Sequence, residues 1–170
     1  MKRAAFLSCA GIDVSRWKVL GHRQQLPFVP AGGDRYTLRD AFLMRAMLLV
    51  MDGPSGAVGP SDAVRLITHA AGKAAEAYGP EPVDLVGHGA AVWLGAVEFA
   101  GVDRHGEVER WVGWYAGPLE GLGAFIAAQL ADPMSEALRG AHPVRVLALV
   151  NATAAAAEVI AKADEQGGCL

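Results

Sequence analysis

From Asp13 onward the chain sets Ser15, Arg16, Lys18, Val19, His22 and Arg23 close together, a mixture of long cationic donors, a hydroxyl, an imidazole and one branched apolar side chain. Guanidinium and ammonium groups neutralise phosphates and donate to guanine edges in a major groove, while small or apolar side chains lie against thymine methyls. Arg35, Tyr36 and Arg39 repeat the combination of cation and hydroxyl a little further on. A solvated helix face has the same composition, so spacing and charge distribution must decide between the two readings.

Other constellations carry less. His88 lies in Val86-Gly87-His88-Gly89, with no nearby cysteine and no nucleophile-elbow pattern, so a plain turn is the better reading. His69, His105 and His142 are scattered without metal-ligand spacing. Cys9 and Cys169 stand at opposite ends of the chain and supply neither a disulfide framework nor a zinc pair, which points to a reducing, cytoplasmic setting. The expectation is a protein that is not an enzyme and has no metal and no cofactor.

The elements that position the basic residues follow from breakers and caps. Lys2 to Ala10 is helical and closes at Gly11; Asp13 caps a second helix running towards Leu26, with Val14, Trp17, Leu20, Gly21 and Gln24 on its buried side. The short connection between them predicts a helix-turn-helix. Phe28-Val29 and Arg35-Tyr36 are predicted to pair as short strands around a Gly-rich turn. Thr37 with Asp40 reads as a capping box for a helix to Met51, residues 52–60 as a loop, and Ser61 as the cap of a helix to Tyr78.

Charge follows the same division. The 170 residues carry 15 basic and 18 acidic side chains, a net of -3, with 52% hydrophobic and 19% charged residues, which excludes the disordered class. Residues 1–45 hold eight Lys or Arg against three Asp, a net of +5, which leaves seven against fifteen and a net of -8 for the remainder. A basic segment that coincides with a helix-turn-helix points to an anionic partner, double-stranded DNA. No apolar run is long enough to span a membrane.

Ala10-Gly11-Ile12-Asp13, Trp17, Leu26-Pro27 and Arg35-Tyr36-Thr37-Leu38-Arg39-Asp40 resemble the N-terminal DNA-binding domain of MerR-type transcriptional regulators. The resemblance spans roughly the first 75 residues and implies that the second helix is a recognition helix. By position it implies that Arg16 and Lys18 approach the groove and that Arg35, Tyr36 and Arg39 grip the DNA backbone at the wing. The long dimerisation coiled coil of that family has no counterpart after Tyr78, where no sustained heptad pattern occurs.

Beyond Gly79-Pro80-Glu81-Pro82 the pattern becomes strand-like. Residues 92–100 and 107–115 predict a hairpin, residues 119–130 a helix, residues 144–150 a strand, and Asn151 or Thr153 caps a last helix. Trp93 and Trp111 are expected to pack across the hairpin, with Trp114 and Tyr115 on opposite faces, as core or dimer interface; an effector pocket is the second reading. Glu98, Asp103, Glu107 and Glu109 make the hairpin acidic, so it should avoid DNA.

The sequence therefore predicts a mixed α/β (α+β) protein in two parts. Residues 1–79 form a winged helix-turn-helix, and residues 83–170 a small α+β domain for dimerisation or sensing. Phosphate contacts from Lys2, Arg3, Arg35 and Arg39 would set affinity. Ser15, Arg16, Val19 and Arg23 would set sequence preference. The expected function is DNA binding by a bacterial or prophage regulator, as a homodimer and with a possible small-molecule effector. The alternatives are a phage DNA-recognition protein of the terminase small-subunit or excisionase kind, or a ligand-binding or enzymatic module in residues 83–170.

Overall fold

Helices α1, Arg3–Ala10, and α2, Val14–His22, open the chain in a computed structural model that describes residues 1–53, 58–132 and 137–167. Gly11 ends α1 at a φ of 68°, and the amides of Gly11 and Ile12 return to the carbonyls of Ser8 and Leu7. Asp13 then caps α2 by accepting from the Arg16 amide at 2.8 Å. The second helix stops short of the predicted run to Leu26. Gln24 adopts a φ of 56°, and the amides of Gln24 and Gln25 bond back to Gly21 and Leu20, the same closure that ends α1.

The predicted pairing of Phe28-Val29 with Arg35-Tyr36 does not form. Pro27 and Pro30 bracket the first segment and lack amide donors, and the Phe28 ring turns inward. Arg35 instead forms an isolated antiparallel bridge with Lys2, and the Tyr36 amide donates to the Met1 carbonyl at 3.0 Å. Residues 29–35 are left as an exposed loop. Beneath it lies Phe6, fully buried, stacked on Tyr36 with ring centroids 4.4 Å apart and meeting Trp17 and Phe28 edge-on at 5.0 and 5.7 Å.

Helix α3, Leu38–Met51, starts at the predicted capping box, in which the Asp40 amide donates to the Thr37 hydroxyl at 3.0 Å and the Thr37 amide to the Asp40 carboxylate at 2.8 Å. Phe42, Met44, Met47 and Leu48 make it the central helix of the core. Helix α4, Pro60–Tyr78, begins one residue before the predicted cap: Gly59 takes that position and Pro60, whose missing amide costs nothing there, starts the helix. Of the predicted loop between α3 and α4, residues 54–57 lie outside the described residues. A short helix α5, Pro82–Gly87, follows the break at residues 79–82 and takes in Val86 and Gly87, which the sequence reads as a plain turn with His88.

Strands β1, Trp93–Val102, β2, Val108–Gly117, and β3, Arg139–Asn151, form one antiparallel sheet in the order β2-β1-β3. A 3-10 turn at Leu119–Gly121 leads into α6, Leu122–Leu130, and α7, Ala152–Glu165, follows β3 directly with Asn151 as its cap. Thr153 instead accepts from the Val92 amide at 2.9 Å, which ties α7 to the start of β1. Trp111 lies opposite Phe99 and stacks on it at 5.3 Å, whereas Trp93 faces Gly117, so the expected Trp93–Trp111 packing does not occur. Trp114 and Tyr115 do point to opposite faces: Trp114 stacks on His69 of α4, and Tyr115 packs on Phe125 of α6.

The architecture is mixed α/β, of the α+β kind, with helices on both faces of the sheet. Phe6, Met44, Met47 and Ile67 belong to the same buried cluster as Leu94, Ala96, Val150 and Val159. Helix α7 packs on α1, α3 and α5, and its buried alanines, Ala152, Ala155 and Ala156, permit the close approach. The stretches 1–79 and 83–170 thus contribute to one hydrophobic core.

Because Phe6 is sealed among three other rings, Phe6→Ala should lower the unfolding free energy in urea by about 3–5 kcal/mol, while Val146→Ala, on the half-exposed end of an edge strand, should cost under about 0.5 kcal/mol. Similar losses for the two would contradict this placement of the core.

Candidate nucleic-acid interface

Two sides of α2 differ sharply. Trp17 and Leu20 are buried against the aromatic cluster and α3, whereas Ser15, Lys18, Val19, His22 and Arg23 are all exposed. At about 100° per residue these five positions fall in one stripe along the outer side. Val14, expected on the buried side, is 53% exposed and adjoins Lys18 one turn on; Val19 is 50% exposed. Val19 is exposed as expected, and Val14 lies in solvent because on the helical wheel it falls nearer Lys18 than Trp17.

Arg16 leaves that stripe. Its guanidinium donates to both carboxylate oxygens of Asp52 at 2.9 and 2.7 Å, which joins the first turn of α2 to the C-terminal end of α3. A carboxylate at a helix C-terminus opposes the dipole there, and the bidentate guanidinium offsets it. The hydrogen bond from Arg16 holds the Asp52 carboxyl below the ordinary carboxylate range. Arg16 therefore anchors the helix, in place of the groove contact expected of it. The Ser15 hydroxyl donates to the Asp13 carboxylate, and that hydrogen bond lowers the Asp13 carboxyl in turn.

Tyr36 also departs from expectation. Its ring is 8% exposed and stacked beneath Phe6, so it is a core residue where a backbone clamp was expected, and burial pushes its phenol up. Arg35 is exposed on the loop, and Arg39 is half-buried on the first turn of α3 beside a hollow lined by Pro27, Phe28 and Thr68. Arg3 meets Asp34 at 3.4 Å, and Arg45 joins α3 to α7 through Glu158 at 2.7 Å. Among the described residues no ion pair engages Lys2, Lys18, Arg23, Arg35 or Arg39.

Two anchors were invisible in the sequence. Asp52 is one, and no local pattern connects it with Arg16, 36 residues away. Gln25 is the other: its side-chain amide donates to the Ser61 hydroxyl at 2.9 Å, so the turn after α2 is tied to the first turn of α4. Together with the rings they fix α2 at its start, its middle and its end.

The acidic hairpin is less negative than its composition implies, since Glu98 accepts from Arg110 at 3.0 Å and from Arg145 at 2.8 Å, which holds its carboxyl down. Among the described residues no group of three or more His, Cys, Asp or Glu is placed to hold a metal ion, and no helix is long and apolar enough to cross a membrane. Cys9 is a buried free thiol, and Cys169 lies outside the described residues.

The Arg16–Asp52 pair has a signature in acid. A carboxyl held low in the folded state contributes stability above its unfolded pKa and loses it as pH falls through the folded value. Both side chains are partly exposed, so the contribution is at most about 1 kcal/mol. Wild type should exceed Arg16→Gln by that amount at pH 6, the gap closing between about pH 4 and pH 2 in urea titrations. A gap that persists at the acid end would contradict the ion pair. Comparison with protein-family models, curated proteins and solved structures finds no match for the chain.

Proposed function

We propose that the chain is a sequence-specific DNA-binding protein, a MerR-like transcriptional regulator of bacterial or prophage type that works in the cytoplasm as a homodimer. The observation that carries this reading is the outer stripe of α2: Ser15, Lys18, Val19, His22 and Arg23 are exposed together, and Lys18 and Arg23 have no ion pair among the described residues. A helix of nine residues held at both ends presents a rigid surface of a size that a major groove admits.

Roles follow from placement. Lys18 and Arg23 supply donors to phosphates and base edges, Ser15 and His22 supply shorter polar contacts, and Val19 offers an apolar surface for a thymine methyl. Lys2, Arg35 and Arg39 supply phosphate contacts from the neighbouring loop and helix start, the loop at residues 29–35 standing where the wing was expected. Arg16 and Tyr36 support the interface from behind. Dimerisation accords with the general pairing of two-fold proteins with palindromic half-sites.

Fluorescence anisotropy with duplexes selected from a random pool checks the proposal. Affinity should fall between 50 and 200 mM salt with a log–log slope between about -5 and -9, on the order of 0.9 for each phosphate that the two protomers neutralise. Arg35→Gln, which removes one contact from each protomer, should reduce that slope by about 2 across all sequences, while Arg23→Gln should relax the preference for the selected site. Absence of duplex binding at about 50 mM salt would overturn the proposal.

A further inference from the structure

A cleft of about 370 Å³ lies between the first turns of α4 and the face of the sheet that carries Trp114. That volume is within the range of small-molecule sites, about 300–1,000 Å³. Leu66, Val112, Trp114 and Leu147 form apolar walls, and the guanidinium groups of Arg65 and Arg145 stand beside them. Trp114 is held in one orientation by His69, whose ring stacks on the indole at 4.8 Å and 15°.

The polar groups of the cleft favour an anion. Its two carboxylates are already engaged: Asp62 faces Arg65 at 3.7 Å, and Glu98 accepts from both Arg110 and Arg145. Within the cleft Arg65 and Arg145 balance Asp62 and Glu98, and Glu98 is saturated by Arg145 and by Arg110 from outside the lining, so the hydrogen-bonding capacity left over is that of guanidinium donors. Arg145 commits only its Nε to Glu98, which leaves its terminal nitrogens as donors for a ligand. The Arg65–Asp62 contact is long for an ion pair and both side chains are largely exposed, Arg65 at 60% and Asp62 at 72%, so Arg65 can be recruited at little cost. A cation would find Glu98 already held by two guanidinium groups, whereas an acceptor with two oxygens meets unspent donors on Arg65 and Arg145.

We propose that this cleft binds a small planar organic anion, an aromatic carboxylate, with its ring against Trp114 and its carboxylate between Arg65 and Arg145. Guanidinium groups match a carboxylate in a planar, two-point geometry, and the flat apolar walls accept a ring. The site uses none of the residues in the outer stripe of α2.

Isothermal titration of the full chain with 2-naphthoate and with its neutral counterpart 2-naphthamide tests the proposal. 2-Naphthoate should bind at one site per chain and at least about tenfold more tightly than the amide, the gain expected of charge-assisted hydrogen bonds. Arg65→Gln combined with Arg145→Gln, both at the surface, should cost 2-naphthoate at least about tenfold and leave the amide within about twofold. Trp114→Leu should weaken both compounds. Equal affinity for the two compounds, no binding of either, or 2-naphthoate binding that survives the double arginine substitution would overturn the assignment.

Discussion

The contact on which the N-terminal structure depends is the packing of Phe6 against Trp17, Phe28 and Tyr36. Each ring comes from a different segment, so burying them together fixes α1, α2, the connecting loop and the entry to α3 at once. Trp17 commits one side of α2 inward, and the outer stripe is exposed as a geometric consequence. Tyr36 brings the chain back under α1, which lets Arg35 bridge Lys2 and leaves residues 29–35 as a loop. The exposed cations are therefore positioned by apolar contacts, with the Arg16–Asp52 and Gln25–Ser61 contacts trimming the two ends of the helix.

The second constraint is the insertion of α7. A helix from the end of the chain packs on α1 and α3 through alanines, and Arg45 and Glu158 join it to α3 from outside. Strand β1 carries the same core onward through Leu94 and Ala96. The charge division along the sequence, +5 over residues 1–45 and -8 beyond, is thus displayed on the surface of a molecule with a continuous interior. Locally the division is softer, since Glu98 is bracketed by two arginines and several N-terminal cations are already paired with acids.

What the sequence made legible was local. The Gly11 closure, the Asp13 cap, the Thr37–Asp40 box, the hairpin of β1 and β2 and the Asn151 cap each rest on residues within a few positions of one another. What it hid depends on distance along the chain. Arg16 was read as a groove contact because its partner Asp52 is remote, and Tyr36 as a surface clamp because its partner Phe6 lies in another element. The predicted wing failed for a different reason: Phe28 gains more by burying its ring than two proline-flanked residues could gain as a strand. Gln24 ended α2 early by adopting a backbone conformation usually left to glycine, for which its side chain gave no warning.

The central claim is that the outer stripe of α2 and the adjoining loop form the surface that meets duplex DNA. Backbone amide chemical shifts followed during titration with a selected duplex test it most directly. The largest shifts should concentrate at Ser15, Lys18, Val19, His22, Arg23 and residues 29–35, with β2 and β3 unmoved. Shifts centred on the sheet or on α6, with α2 unchanged, would contradict it.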